Sequence, residues 1–217
     1  MSLTSLTGIL LVAGALLFWS SIVAAVIHWR RTGTLPFQDP SSVPPHAFYQ
    51  SIHSNPHWWK WVNILFTSGI LTTVLGFTAL TALLQASAQT ILAYFAWTAY
   101  LLASFLWLIL FSFNLSISVW GAHKVAATNS VPPSFEAWPT WQERLVHLYM
   151  TLAYFSIAFY GGAILATRIL PSWAGWLSLL VGLCGAASIV LAGSSLAIPL
   201  LIHIIPAIVG LLLLLGK

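Results

Sequence analysis

Apolar positions in this chain do not alternate with polar ones at a period of two or of three to four. They run almost unbroken over 3–28, 61–84, 90–120, 145–168, 173–193 and 196–215. Crossing the hydrocarbon core of a bilayer takes roughly 20 helical residues, and in lipid each backbone amide must find its partner within the segment. Each run therefore predicts a membrane-spanning helix. Joined end to end, the last two would make a helix of about 63 Å, twice the hydrocarbon thickness. The chain must turn between them, and Gly193-Ser194-Ser195 is the expected place. The third run is over-long and predicts a tilted span. The expected fold is all-α, a single domain over 1–217 forming an integral membrane bundle of about six transmembrane helices.

Two polar connections separate the runs. The first, 29–60, contains Pro36, Pro40, Pro44, Pro45 and Pro56 and ends in His57-Trp58-Trp59-Lys60-Trp61; the second, 121–144, contains Pro132, Pro133 and Pro139 with Trp138 and Trp141. Asn55-Pro56 reads as an N-cap followed by proline at the first helical position. Thr140-Trp141-Gln142-Glu143 fits a capping box, and Ser172 after Pro171 reads as a further helix start. Seven of the twelve tryptophans (Trp29, Trp58, Trp59, Trp61, Trp120, Trp138, Trp141) flank these connections, where an apolar ring and a polar N–H both find suitable surroundings.

With six spans, both connections share one membrane face and both termini the other. Arg30, Arg31, Lys60, Lys124 and Arg144 fall on the connection side, against Arg168 and Lys217 opposite. The bias of positive charge towards the cytoplasm then places the connections inside and both termini outside. The first span lacks a basic lead and a small-residue cleavage site and is read as a helix that stays.

Composition strengthens the membrane reading. Hydrophobic residues make up 59% of the chain and charged residues 5%, with a mean hydropathy of +0.94; a soluble domain carries about 25% charged residues. The soluble-enzyme, disulfide-scaffold and disordered classes are excluded. A net charge of +4 comes with no basic cluster beyond Arg30-Arg31, so nucleic acid is not an expected partner. Lone Cys184 reads as a small buried hydrophobe.

Helix association in lipid depends on close packing and hydrogen bonds, and small-residue faces recur. Gly14, Ser21, Ala25 and His28 share a face of the first span, Gly69, Thr73 and Gly76 one of the second, and Ser178, Gly182 and Ala186 one of the fifth; Gly161-Gly162 permits close approach in the fourth. These predict a compact bundle. No charged side chain lies near mid-membrane, so a charged-ion pathway lacks its usual parts.

The candidate ligands are histidines. His28, His123, His147 and His203 stand at or within helix ends, all on the connection side, whereas His46, His53 and His57 lie in the first connection. A neutral imidazole can hold a haem iron or a metal. His203, about two turns below that face, is the sharpest candidate, because a polar ring within a span is a functional hypothesis in itself; Pro206 also deprives the Ile202 carbonyl of its helical donor. Asp39, Glu136 and Glu143 are the available carboxylates. None of the four histidines stands three or four residues from another histidine, so several helices would have to converge. No metal ligand set and no catalytic residue is assigned; His28, His123, His147 and His203 are candidate cofactor ligands, with haem b or a pigment as the cofactor considered.

The stretch Arg168-Ile169-Leu170-Pro171-Ser172-Trp173-Ala174-Gly175-Trp176 and the Leu/Gly-rich span after it resemble the R-x-LP-x-W-x-GW junction of a broad group of uncharacterised multi-pass bacterial membrane proteins. Asn55-Pro56-His57-Trp58 resembles that group's entry into its second span. The likeness is tight over 168–183 and implies a bacterial plasma membrane, with no activity to carry over. Three functions follow in order of expectation. The first is a non-catalytic accessory, scaffold or small apolar-ligand-binding subunit beside a larger membrane complex; its partners would be the lipid bilayer and other membrane subunits. The second is a haem- or pigment-binding redox subunit, and the third a membrane-embedded enzyme of lipid or isoprenoid substrates.

Overall fold

The computed structural model describes residues 1–32, 44–88, 90–192 and 198–216. Nine helices are formed by these residues: α1 (Leu3–Thr32), α2 (Pro45–Ser54), α3 (Pro56–Ser87), α4 (Ile91–Leu115), α5 (Ile117–Thr128), α6 (Pro133–Glu136), α7 (Trp138–Thr167), α8 (Ser172–Ala192) and α9 (Ile198–Leu215). Five stretches are long and apolar enough to cross a bilayer: Leu3–Arg31, Pro56–Ser87, Ile91–Thr128, Pro133–Thr167 and Ser172–Leu191. Leu201–Leu215 is a shorter apolar helix. The chain is thus an all-α membrane bundle of about six helices. The expected turn at Gly193-Ser194-Ser195, and Pro36, Asp39, Pro40 and Lys217, lie outside the described residues.

Successive long helices run antiparallel. Phe18 of α1 meets Phe66 of α3 at a ring separation of 4.9 Å, while His28 near the end of α1 meets Trp58 near the start of α3. Phe77 of α3 meets Tyr100 of α4, and Trp107 of α4 meets Tyr149 of α7.

The small-residue faces explain how closely these helices cross. A Cβ built on Gly69 would stand 2.7 Å from the backbone nitrogen of Phe18 and 2.9 Å from the Gly14 carbonyl, so the glycines expected to pack α1 and α3 pack against each other. On the other side of the bundle, a Cβ on Gly161 would stand 2.7 Å from the Gly175 carbonyl, and one on Gly182 would stand 2.7 Å from Ala158 Cα. α9 closes on α1 in the same way, with a Cβ on Gly210 2.8 Å from the Gly8 carbonyl.

The described parts of both polar connections are largely helical. Within 29–60, α1 extends to Thr32, α2 spans Pro45–Ser54, and α3 begins at Pro56. Within 121–144, α5 continues to Thr128, where Asn129 ends it in the left-handed conformation (φ 52°), and α6 and α7 follow. Phe48, Tyr49, Ile52, Trp59, Ala122, Val125 and Phe135 form a second apolar core distinct from that of the bundle. The two connections therefore fold together as a helical cap.

Local expectations are corrected at three places. Cys184, expected as a small buried hydrophobe, is exposed on α8. The long third run breaks at Ser116. There the Ser116 hydroxyl donates to the Ser112 carbonyl at 2.5 Å, and the Ser116 amide divides between the Ser112 and Phe113 carbonyls; such serine back-bonding bends helices. The capping box at Thr140–Glu143 is not a helix start, because α7 already begins at Trp138 with proline in its first turn. Gln142 is turned inward instead and is buried.

Candidate functional site

Where the cap meets the bundle, four helices contribute polar side chains to one buried network. α3 supplies Trp59 and Asn63, α4 Asn114, α5 Ser118 and α7 Gln142, and all five are buried. The Trp59 indole N–H donates to the Asn114 carbonyl at 2.8 Å, meeting a carbonyl at the last turn of α4, where helical partners run out. The Asn63 amide donates to the Trp59 carbonyl at 2.9 Å, and the Asn114 amide donates to Asn63 Oδ1 at 3.0 Å. Gln142 Nε2 donates both to Asn114 Oδ1 at 2.8 Å and to Ser118 Oγ at 3.0 Å. Asn114 is the hub, since its backbone and both ends of its side-chain amide are engaged. The cap is pinned by a second buried contact, in which the Tyr49 hydroxyl donates to the Phe135 carbonyl at 3.3 Å. Burial pushes the Tyr49 phenol up to about 12.

Deeper in the bundle the polar atoms are less well met. Trp107 Nε1 donates to Thr67 Oγ1 at 3.0 Å, and the Tyr160 hydroxyl reaches the Phe77 carbonyl at 3.0 Å and Thr81 Oγ1 at 2.8 Å. The buried Ser156 hydroxyl has no hydrogen-bond partner among the described residues, while the buried Tyr100 and Tyr149 hydroxyls lie beside each other.

The four candidate histidines occupy four separate surroundings. His28 is buried at the end of α1 beside Trp58, 5.9 Å ring to ring. His123 is exposed on α5 and lies against His53 of α2. His147 Nε2 lies 3.7 Å from Glu143 Oε1, one turn back on α7. His203 is 0% exposed, stacked on Phe18 at 3.8 Å, and neither of its ring nitrogens has a hydrogen-bond partner among the described residues. Phe18 stands near the middle of α1, and His203 in the second turn of α9. Among the described residues no group of three or more His, Cys, Asp or Glu side chains is arranged to hold a metal ion. An open hollow of about 480 Å³ lies at the α3–α4 turn, lined by Gln85, Thr90, Ile91 and Tyr94, at the opposite end of the bundle from the network.

The sequence points to histidines as the candidate ligands, whereas in the structure the amides carry the best-built polar site. The signal was present: an Asn or Gln among apolar residues is costly to bury unless bonded, and Asn63 and Asn114 each stand inside an apolar run.

Comparison with protein-family models, with curated proteins and with solved structures gives no match. The class that fold and site define is an integral membrane helical bundle carrying a helical cap, the two held together by a buried amide network.

Proposed function

We propose that this protein is a non-catalytic membrane subunit, an accessory or scaffold that packs beside a larger complex in a bacterial plasma membrane, with its cap in the cytoplasm and both termini outside. The supporting observation is how the network uses its groups. Trp59, Asn63, Asn114, Ser118 and Gln142 bond one another across four helices, so the polar atoms are spent on fixing the cap to the bundle. α8 supports the same reading. Its glycine face is taken up by α7, while Trp173, Trp176, Leu180, Leu183, Val190 and Leu191 remain exposed, the last two at 70% and 85%. A photo-crosslinking residue at Val190 in native membranes tests it. A discrete protein adduct of fixed mass is expected, and crosslinking to lipid alone would count against a scaffold role for this face.

One observation favours the haem or pigment reading second. Both ring nitrogens of His203 are buried without a partner among the described residues, and buried polar groups are normally bonded. A Soret band that is lost in His203→Ala would put that reading first.

A further inference from the structure

We propose that His53 and His123 form a binding site on the cap for a divalent transition-metal cation of the zinc, nickel or copper type. Both rings are exposed, one on α2 and one on α5. Their centroids are 5.4 Å apart and their planes nearly perpendicular, at 85°. An imidazole nitrogen binds such a metal at about 2.0–2.1 Å, which places each ring centroid about 3.2 Å from the ion. Two rings meeting one ion at the tetrahedral angle then stand about 5.2 Å apart, close to the 5.4 Å found.

The scaffold beneath the pair turns this spacing into a site. α2 and α5 run antiparallel, with His53 beside His123 at one end and His46 Nε2 3.2 Å from Asn129 Oδ1 at the other. Next to His53 and His123 in the chain, Ile52 and Ala122 point inward and are each 1% exposed. Both backbones are therefore anchored by the cap core, and ligands on rigid helices hold their geometry better than ligands on loops. Lys124, beside His123 in the chain, places its ammonium over the Trp120 ring at 5.6 Å, so its charge is engaged there. Imidazole nitrogen selects these cations over magnesium or calcium, which prefer oxygen. Two protein ligands leave coordination positions to water or to a donor from another molecule, unlike a closed four-ligand structural site. The site is independent of the scaffold reading and stands or falls by itself.

Untagged full-length protein in detergent, titrated with zinc by calorimetry and with copper(II) by electron paramagnetic resonance, tests the proposal. One ion per chain is expected, with nitrogen hyperfine structure from two imidazoles. His53→Ala and His123→Ala should each weaken zinc binding about tenfold or more, with helix content unchanged by circular dichroism, while His46→Ala binds as the wild type does. Should the His123→Ala chain fail to fold, His123→Gln takes its place. Wild-type zinc affinity in either His53 or His123 variant overturns the proposal, as does an equal loss in His46→Ala.

Discussion

The side-chain amide of Asn114 donates to the Asn63 side-chain oxygen at 3.0 Å, joining α4 to α3 at the level where the cap begins. The same Asn114 accepts from Gln142 of α7 through its own oxygen and from Trp59 through its carbonyl. One residue therefore sets the relative position of three membrane helices and, through the Gln142–Ser118 contact, of the cap helix α5 as well.

Asn114→Leu should lower stability by about 1–3 kcal/mol, because Asn63 and Gln142 keep their burial and lose their partner. A single interhelical hydrogen bond in a membrane contributes about 0.6 kcal/mol, so a peripheral member such as Ser118→Ala should cost less. Thermal unfolding in detergent distinguishes them: the Asn114 variant melts well below the Ser118 variant. Equal melting temperatures would show that the hub has no special weight.

At the α1–α3 crossing, Gly69→Val should destabilise by about 1–3 kcal/mol or more through overpacking, since even its Cβ would press on Phe18 backbone atoms. Gly162→Ala is the control. Its added methyl meets only the flexible end of Leu92, at 3.1 Å, and alanine is the better helix former. Its melting temperature should stay near that of the wild type.

The six helices were legible in the sequence because lipid imposes a length and a continuity on every apolar run. The packing faces followed from residue size: Gly14 and Gly69 were assigned to faces and meet in the structure. The cap was not legible. Prolines and charged residues in 29–60 and 121–144 signal loops locally, whereas the apolar core that folds them joins residues of both connections, as where Tyr49 meets Phe135. The inward turn of Gln142 has a related cause. The Thr140–Glu143 spacing satisfies a local capping rule, yet the amides of α3 and α4 recruit Gln142 into the interior.

The Tyr49 phenol gives the cap a pH dependence. Its ordinary value is 10, and burial pushes it up to about 12. Below pH 10 the folded and unfolded chains both keep the proton, so the group does not alter stability. Between pH 10 and 12 only the unfolded chain releases it, so stability falls as pH rises through that window. Tyr49→Phe should remove this part of the alkaline loss, read as the difference in melting temperature between pH 9 and pH 11.5. The same alkaline slope in both proteins would contradict it.

His203 separates a packing role from a ligand role. If the ring only packs, His203→Leu removes two buried unsatisfied nitrogens and should leave the melting temperature unchanged or raised, since an unmet buried polar group costs about 1–3 kcal/mol. A fall of several degrees together with loss of a bound chromophore would assign the ring to a ligand.

Native mass spectrometry of the protein released from its own membranes in mild detergent tests the scaffold function most directly, since one spectrum reports both assembly and bound cofactors. The expected result is the 23.6 kDa chain in a larger heteromeric complex of fixed stoichiometry, with no added mass of an organic cofactor on the chain. A solitary chain carrying the mass of a haem or pigment would contradict it.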